Sequence, residues 1–302
     1  MEDWGKIDAV DRMQKYILSH LGEKISLREL SKAAGYSPWH SLRIFREFTS
    51  HTPFEFIRAA RLTEAAKMLR DGSNSVLHTA LEVGFDSHDG FTRAFSRRFS
   101  LTPQRYRTEK PPVCYFTYYP IRNYYLHIKQ MEEDGIKMNL PKTSATVTAA
   151  ERPSRNLIIL RSKAATDYFS FCEEVGCDWE GMLNSIPEKL DNAALITLPN
   201  HLVCAGTSAT AAGVEVPLAY AKPLPAPYEM IALPPCVLLY FEGLPLENEE
   251  AFCQAIDTVS AAIQSYNPMR YGYQFDDTVA PRFNFGISAE GGAKLAVPAR
   301  HM

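Results

Sequence analysis

The sequence predicts two domains of different class: an all-α domain made of two helix-turn-helix units, then an α+β domain with two strand-helix-strand-strand repeats. Three observations lead there. First, one pattern is written twice near the N-terminus. Gly35-Tyr36-Ser37 opens a run that closes on Thr52-Pro53 and Phe56. Gly84-Phe85-Asp86 opens another that closes on Thr102-Pro103 and Tyr106, and Arg43 and Phe45 are answered by Arg93 and Phe95. Second, apolar residues keep helical spacing early in the chain and change to mixed runs from about residue 144. Third, charge divides the same way. Residues 1–110 hold 18 Lys+Arg against 14 Asp+Glu, a net of +4; residues 111–302 hold 14 against 21, a net of −7; together they give the chain's −3. A basic part joined to an acidic one fits a nucleic-acid module attached to something else.

Ile7, Val10, Met13, Ile17, Leu18 and Leu21 make a first helix, which Gly22 stops. Ser26 and Glu29 have the spacing of a capping box, so a second helix starts near Leu27. Its apolar face is Leu27, Leu30, Ala33 and Ala34, and Gly35 supplies the tight turn. Ser37 caps a third helix with Pro38 in its first turn. Leu42, Phe45 and Phe48 are expected in the core, with Trp39, His40, Arg43 and Arg46 on the other side. A longer helix, Phe54 to Leu69, bridges to the second unit. There Val76 to Val83 is a helix, Gly84 the turn and Ser87 a cap, with Phe91, Phe95 and Phe99 inward and His88, Asp89, Thr92, Arg93 and Arg97 outward.

The outward set suits duplex DNA. A major groove admits one helix, whose first turns meet base edges. Arg43 and Arg93 can each make a two-point hydrogen bond to guanine, His88 and Thr92 can donate or accept, and Trp39 can cover thymine methyls or a sugar. Arg46, Arg97 and Arg98 suit phosphates, as do the helix N-termini that Ser37 and Ser87 cap. Two such helices on one chain are expected about 34 Å apart, in successive grooves. Asp89 can accept from cytosine N4, or act as a cap or an orienter of Arg93.

Gly-Tyr-Ser-x-Trp-His followed by Arg-x-Phe (Gly35 to Phe45), Arg58-x-x-Arg61, the Gly84 to Phe95 motif and Thr102-Pro103-x-x-Tyr106-Arg107 resemble the AraC-type DNA-binding domain, over residues 6–108. The resemblance implies a transcription regulator that meets promoter DNA and RNA polymerase. Asp89 departs from it, since a neutral polar residue is common at that place.

Glu109-Lys110-Pro111-Pro112 marks a boundary at 110. Tyr115, Phe116, Tyr118, Tyr119, Tyr124 and Tyr125 are expected to pack a joint between the domains, within a linker at 111–143, and 130–139 reads as a loop. In the 144–302 domain, strands are expected at Ala145–Thr148, Arg155–Leu160, Leu195–Leu198, His201–Thr210, Val214–Val216, Tyr228–Leu233, Cys236–Glu242, Tyr271–Phe275, Arg282–Ile287 and Leu295–Val297. Helices are expected at Thr166–Ile186, with a break possible at Gly176, and at Asn248–Tyr266, with Phe252, Ala255, Ile256, Val259 and Ile263 on one face. The Pro corners at Glu151-Arg152-Pro153 and Leu233-Pro234-Pro235 stand at matching places, the sign of a degenerate repeat.

This order, with Gly213 to Pro217 and Val237 to Gly243, resembles the GyrI-like effector-binding domain over about residues 114–300. The resemblance implies a central groove that holds flat apolar or cationic molecules against aromatics and an acid. Candidates are Trp179, Tyr220, Tyr240, Tyr271, Tyr273, Phe283 and Phe285, with Glu215 or Glu242 as the acid. Trp179, flanked by the charged Asp178 and Glu180, is expected on a helix at the groove edge. Lys294 stands near where an acid is common, which departs from a preference for cations.

The expected function is a DNA-binding regulator responsive to a small apolar or aromatic molecule, not an enzyme. Two alternatives stand beside it. One is a hydrolase with Glu180, Glu215 or Glu242 as base, although only His127, His201 and His301 lie in the C-terminal part and none pairs with a nucleophile. The other is a DNA binder whose second domain docks a protein. The six cysteines, all past residue 110, lack metal-site spacing and read as buried small hydrophobes; no metal or cofactor is expected. With neither a membrane-spanning run nor a signal pattern at Met-Glu-Asp-Trp-Gly, the expected compartment is the cytoplasm.

Overall fold

The computed structural model describes residues 4–72, 74–118, 120–126, 145–245, 250–288 and 292–302. Tyr119, the expected loop at 130–139 and the side chain of Phe252 lie outside the described set. The chain forms two compact units, 1–132 and 133–302.

In the first unit the local chemistry sets the helix boundaries. Helix α1 (Trp4–Ser19) buries Ile7, Val10, Met13 and Ile17. Helix α2 (Leu27–Ala34) opens on the Ser26/Glu29 capping box and closes on Gly35 at φ 75°, a left-handed residue that glycine adopts without strain. Helix α3 (Pro38–Thr49) is capped by Ser37, whose hydroxyl accepts from His40 N, and α4 (Pro53–Asp71) opens on a Thr52/Glu55 capping box. Helices α5 (Val76–Glu82), α6 (His88–Phe99) and α7 (Pro103–Glu109) repeat the plan, with Gly84 at φ 80° in the turn and Ser87 accepting from Gly90 N.

Each helix-turn-helix has its own core. Ile7, Val10, Met13, Leu30, Ile44, Phe45 and Phe56 make one; Leu62, Leu69, Phe91, Phe95, Phe99 and Tyr106 make the other. Helix α4 supplies residues to both. The segment past α7 packs on this unit: Val113 and Tyr115 join the second core, Ile121 joins the first, and Phe116 and Tyr125 pack against the first. Phe116 N donates to Thr63 Oγ1 at 2.7 Å, and Ile121 N, opening α8 (residues 121–126), donates to Gln14 Oε1 at 3.0 Å. The described aromatics of the expected joint thus cover the helical unit itself.

The second unit is one antiparallel sheet of nine strands: β1 (Thr146–Arg152), β2 (Arg155–Arg161), β3 (Ala194–Thr197), β4 (Thr210–Pro217), β5 (Glu229–Leu233), β6 (Cys236–Glu242), β7 (Tyr273–Phe275), β8 (Arg282–Ser288) and β9 (Gly292–His301). Its order is β1-β6-β9-β8-β3-β4-β2-β5, with β7 beside β9. Only two residues separate β1 from β2, and two separate β5 from β6, yet β1 pairs with β6 and β2 with β5. Proline at each corner (Pro153; Pro234-Pro235) cannot donate to a ladder, so each strand ends there and its continuation takes a new partner.

Gly176 divides the expected long helix into α9 (Tyr168–Val175) and α10 (Asp178–Asn184), and α11 runs over Glu250–Ser265. The expected strand at His201–Thr210 is instead a 3-10 turn and loop leading into β4, and Tyr271 ends a 3-10 turn before β7. Strand side chains alternate between two faces. Val237, Leu239 and Phe241 pack with Val259 and Ile263 of α11, whereas Leu238 and Tyr240 join Leu157, Ile159, Ile196, Phe283 and Ala296 on the opposite face. Among the described residues, no helix is long and apolar enough to cross a membrane.

Candidate nucleic-acid interface and an aromatic sheet face

Helix α3 buries Ser41, Ile44 and Phe45 and turns the rest of its first turns outward. Trp39 is 85% exposed, a large indole in water with no core to serve. His40 packs its ring on Tyr36 at 4.7 Å, and its Nδ1 lies 3.3 Å from an Arg43 terminal nitrogen. Trp39, His40, Leu42, Arg43, Arg46 and Glu47 line one open depression of about 960 Å³ between Ser37 and Thr52. Leu42, expected in the core, therefore belongs to the outer face. Ser41 takes the inner place, because 41, 44, 45 and 48 share one side of a 3.6-residue helix. Glu47 had not been singled out in the sequence, though it stands four residues after Arg43, on the same helix face.

Helix α6 buries Phe91, Phe95 and Phe99 and exposes His88, Asp89, Arg93 and Arg97. Arg93 Nε donates to the Asp89 carbonyl at 3.3 Å, so the main chain rather than the Asp89 carboxylate holds Arg93. The carboxylate is 90% exposed and lies 3.5 Å from His88 Nδ1. Ser87 does the capping. The Thr92 hydroxyl is buried and without a hydrogen-bond partner, so Thr92 points its oxygen away from solvent.

One residue ties the two helix-turn-helix halves of the helical unit together. Arg61, from the middle of α4, donates Nε to Leu21 O at 2.8 Å, one terminal nitrogen to Glu23 O and the other to Gly84 O at 2.8 Å. It thus joins the loop before α2 to the turn before α6. A Cβ at Gly84 would stand 2.8 Å from the guanidinium, so glycine serves both the φ and the close approach. Arg12 plays a local version of this part, donating to Ala33 O and Ala34 O at the end of α2. The Arg58-x-x-Arg61 spacing was visible in the sequence; the carbonyls it reaches, 23 to 40 residues away, were not.

Two capped, outward helices with a basic guanidinium at matched positions, held in fixed relation by α4 and Arg61, define a double helix-turn-helix DNA-binding unit. The helix-turn-helix domain family matches residues 30–109. The transcriptional regulator Rob of Salmonella typhimurium is 42% identical over 92 residues, 30% of this chain and 32% of Rob. The probable transcription factor PqrA of Proteus vulgaris is 38% identical over 102 residues, 33% of this chain and 84% of PqrA. The multiple antibiotic resistance protein MarA of Salmonella typhimurium is 35% identical over 92 residues, 30% of this chain and 72% of MarA. This chain belongs to the AraC family of DNA-binding transcription regulators, through its helical unit. It spans about a third of the length of Rob.

In the sheet unit the expected ligand residues divide. Tyr240, Phe283 and Phe285 come together: Tyr240 and Phe285 stack at 5.9 Å, and Phe283 and Phe285 at 5.8 Å. Glu215 shares their neighbourhood but is 2% exposed and fully engaged. Arg155 Nε meets Oε1 at 2.5 Å, and Arg152 Nε lies 3.2 Å from Oε2. That Arg152 N–H is not aimed well enough to count as a hydrogen bond, so it remains a buried donor beside a carboxylate. Arg155, itself 0% exposed, also donates to Pro234 O at 2.7 Å and lies 3.2 Å from Cys236 Sγ. Burial pushes the Cys236 thiol up, partly offset by Arg155. Asp191 lies 3.6 Å from Arg152 and 3.3 Å from Lys294, and Lys294 Nζ sits over Tyr240 and Phe285. Burial, and then Asp191, raise the Tyr240 hydroxyl.

The other candidates, Glu242 apart, lie elsewhere. Trp179, expected at a groove edge, is 3% exposed and packs edge-on against Phe171 and Tyr168, with Nε1 3.5 Å from Cys172 Sγ. It is a core residue of the α9–α10 corner. Its neighbour Glu180 accepts from the Tyr168 hydroxyl at 3.4 Å, and burial raises its carboxyl. Tyr220 is buried past β4, its hydroxyl pushed up to about 12 by burial and then by Glu188. Tyr271 stacks on Tyr266, and Tyr273 meets His301. Glu242 is directly opposite Lys294 in the β6–β9 register. Of the described cysteines, Cys172 and Cys236 are buried, but Cys114 and Cys204 are exposed, against the expectation of buried small hydrophobes.

Proposed function

We propose that this chain is a ligand-responsive transcription regulator whose helices α3 and α6 enter successive major grooves, while the Tyr240–Phe285 face of the sheet unit senses a small apolar or aromatic molecule. Arg43 and Arg93 read guanine; Trp39, His40, His88 and Asp89 meet neighbouring bases or sugars; Arg46, Arg97 and the Ser37 and Ser87 helix starts hold phosphates. Thr92 contributes by its methyl or by rotating. The observation that carries the DNA half is the matched pair of capped, solvent-facing helices with Arg43 and Arg93 exposed on their outer faces.

Two features support the sensing half. Ring stacks coincide with a buried polar cluster on one sheet face. The strand order also reads alike from either end: β1-β6-β9-β8 mirrors β5-β2-β4-β3, as expected of the two repeats of a GyrI-like effector domain. Ligand binding there biases the equilibrium between two states of the chain that differ in affinity for DNA or RNA polymerase.

The test uses the full chain and duplex DNA selected from a random pool, with fluorescence anisotropy. The two arginines assigned to phosphates, Arg46 and Arg97, set a slope of log affinity against log salt of about −2 or steeper. A saturating neutral aromatic probe, N-phenyl-1-naphthylamine, should shift DNA affinity by about fivefold or more. Probe binding that leaves DNA affinity unchanged would refute the sensing half and leave the DNA half standing.

A further inference from the structure

The aromatic face of the sheet unit already has a cation on it. Lys294 Nζ lies 4.6 Å from the centroid of Tyr240 and 4.7 Å from that of Phe285, so one ammonium serves both rings. The Arg152 guanidinium lies 5.7 Å from Tyr240 and donates to its hydroxyl. A ring face attracts cations through its quadrupole, and a second cation brought to the same face meets the first at close range. The acids that would draw a ligand cation inward are engaged too. Both Glu215 oxygens face arginines, and Asp191 faces Arg152 and Lys294. Among the described residues, Glu242 is a further acid of this face, one side-chain repeat along β6 from Tyr240 and opposite Lys294 in register.

Over the rings, what stays accessible is positive and aromatic, while the partly exposed Glu242 lies one repeat along β6. The Lys294 side chain is 32% exposed, against 17% for Arg152 and 0% for Arg155, and Phe285 is partly exposed beside it. An ammonium carries three donors, and Asp191 is the carboxylate that meets this one, at 3.3 Å from each oxygen. A carboxylate or sulfonate can bond the ammonium while the apolar body of the same molecule lies along the partly exposed Phe285, with the buried Tyr240 stacked behind it.

We propose that this face takes anionic amphipathic molecules, an aromatic or apolar body bearing a carboxylate or sulfonate, and turns cations away, with Lys294 as the residue that sets the sign. The inference rests on the reading of this face as the ligand site. Its signature is a preference that reverses with one side chain.

Two matched probe pairs test it on the full chain. N-phenyl-1-naphthylamine and 8-anilinonaphthalene-1-sulfonate share a ring skeleton and differ by the sulfonate; tetraphenylborate and tetraphenylphosphonium share a shape and differ in sign. The wild-type chain should bind the sulfonate about tenfold tighter than the neutral dye, and tetraphenylborate should displace the dye at about tenfold lower concentration than tetraphenylphosphonium. Lys294→Met should erase both preferences, Lys294→Arg should keep them, and Lys294→Glu should favour the phosphonium. Circular dichroism establishes that each variant is folded, and the arginine variant carries the test if the others are not. Stronger displacement by the phosphonium in the wild type, or an unchanged ratio in Lys294→Met, overturns the proposal while the sensor reading survives. Neutral-dye binding that is absent, or indifferent to Phe285→Ala, removes the site itself and with it the sensing half of the proposed function.

Discussion

In the helical unit, Arg43, Arg46, Arg93 and Arg97 stand in solvent on α3 and α6, each helix fixed by a serine cap and by buried residues, Ile44 and Phe45 in α3 and Phe91, Phe95 and Phe99 in α6. In the sheet unit, Arg155 is wholly buried, Arg152 is 17% exposed, and both close on Glu215. The same side chain is used in opposite ways. A surface that meets a polyanion needs charge that folding has not already neutralised, because the gain comes from displacing counterions. A surface that meets a small ring-bearing molecule needs its charges settled beforehand, so that stacking faces are presented at fixed places. Arg61 shows a third use inside the helical unit: partly buried, it bonds carbonyls and carries geometry rather than recognition.

The largest test of this contrast is Arg155→Ala. It leaves Glu215 without its closest partner and Pro234 O without a donor, and should cost about 3–5 kcal/mol in urea unfolding of the full chain. Joint replacement, Arg155→Met with Glu215→Leu, should recover much of that loss. A cost below about 1 kcal/mol for Arg155→Ala would mean that the pair is no more than a surface ion pair in energetic terms.

Arg61→Ala comes next. Hydrogen bonds to charged groups are each worth about 1.5–3 kcal/mol and do not add, so a loss of about 2–3 kcal/mol is expected. Specific DNA affinity should fall as well, because the two recognition helices lose their common anchor. Stability loss with unchanged specific affinity would show that α4 alone sets the spacing.

What the sequence revealed follows the same division. Caps and turns were legible residue by residue: Ser26, Ser37, Ser87, Gly35 and Gly84 act where they stand, since their chemistry reaches only three or four residues. Strand pairing was not. Nothing local to Arg152-Pro153-Ser154-Arg155 says that β1 will join β6 and β2 will join β5. The expectation for Trp179 failed for the same reason. Its flanking acids suggested an exposed edge, while burial came from Phe171 and Tyr168, one turn of chain away on another helix. Tyr240, Phe283 and Phe285 were named through the family resemblance, but the Lys294–Asp191–Arg152 cluster over them joins residues 39 and 103 positions apart, which nothing local signals.

Smaller effects refine the helical side. Thr52→Ala should cost about 1 kcal/mol by removing the cap of α4. Its capping-box partner Glu55 is held below the usual carboxylate range by the Thr52 backbone and side-chain hydrogen bonds. A depressed folded value means that this stability is present above the unfolded pKa and is lost as pH falls through the folded one. Alanine keeps the Thr52 backbone donor and loses only the hydroxyl, so the gap between wild type and Thr52→Ala should narrow without closing on acidification.

The smallest expected effect has the opposite sign and lies in the sheet unit. Burial raises Glu180, so its ionised form costs stability above the folded pKa, and that cost vanishes as pH falls through it. Glu180→Gln should raise the melting temperature at pH 8 and progressively less toward pH 4. A gain that grows on acidification would contradict the assignment.

The central claim is that two helices on one chain read DNA at two places. Selection from random duplex DNA should give the wild type two blocks of base preference, about one helical turn apart. Arg43→Ala should erase preference within one block and Arg93→Ala within the other, each at a cost of about 1–3 kcal/mol on the selected site and little on random DNA. A single block, or two variants that lose affinity equally for selected and random DNA, would contradict it.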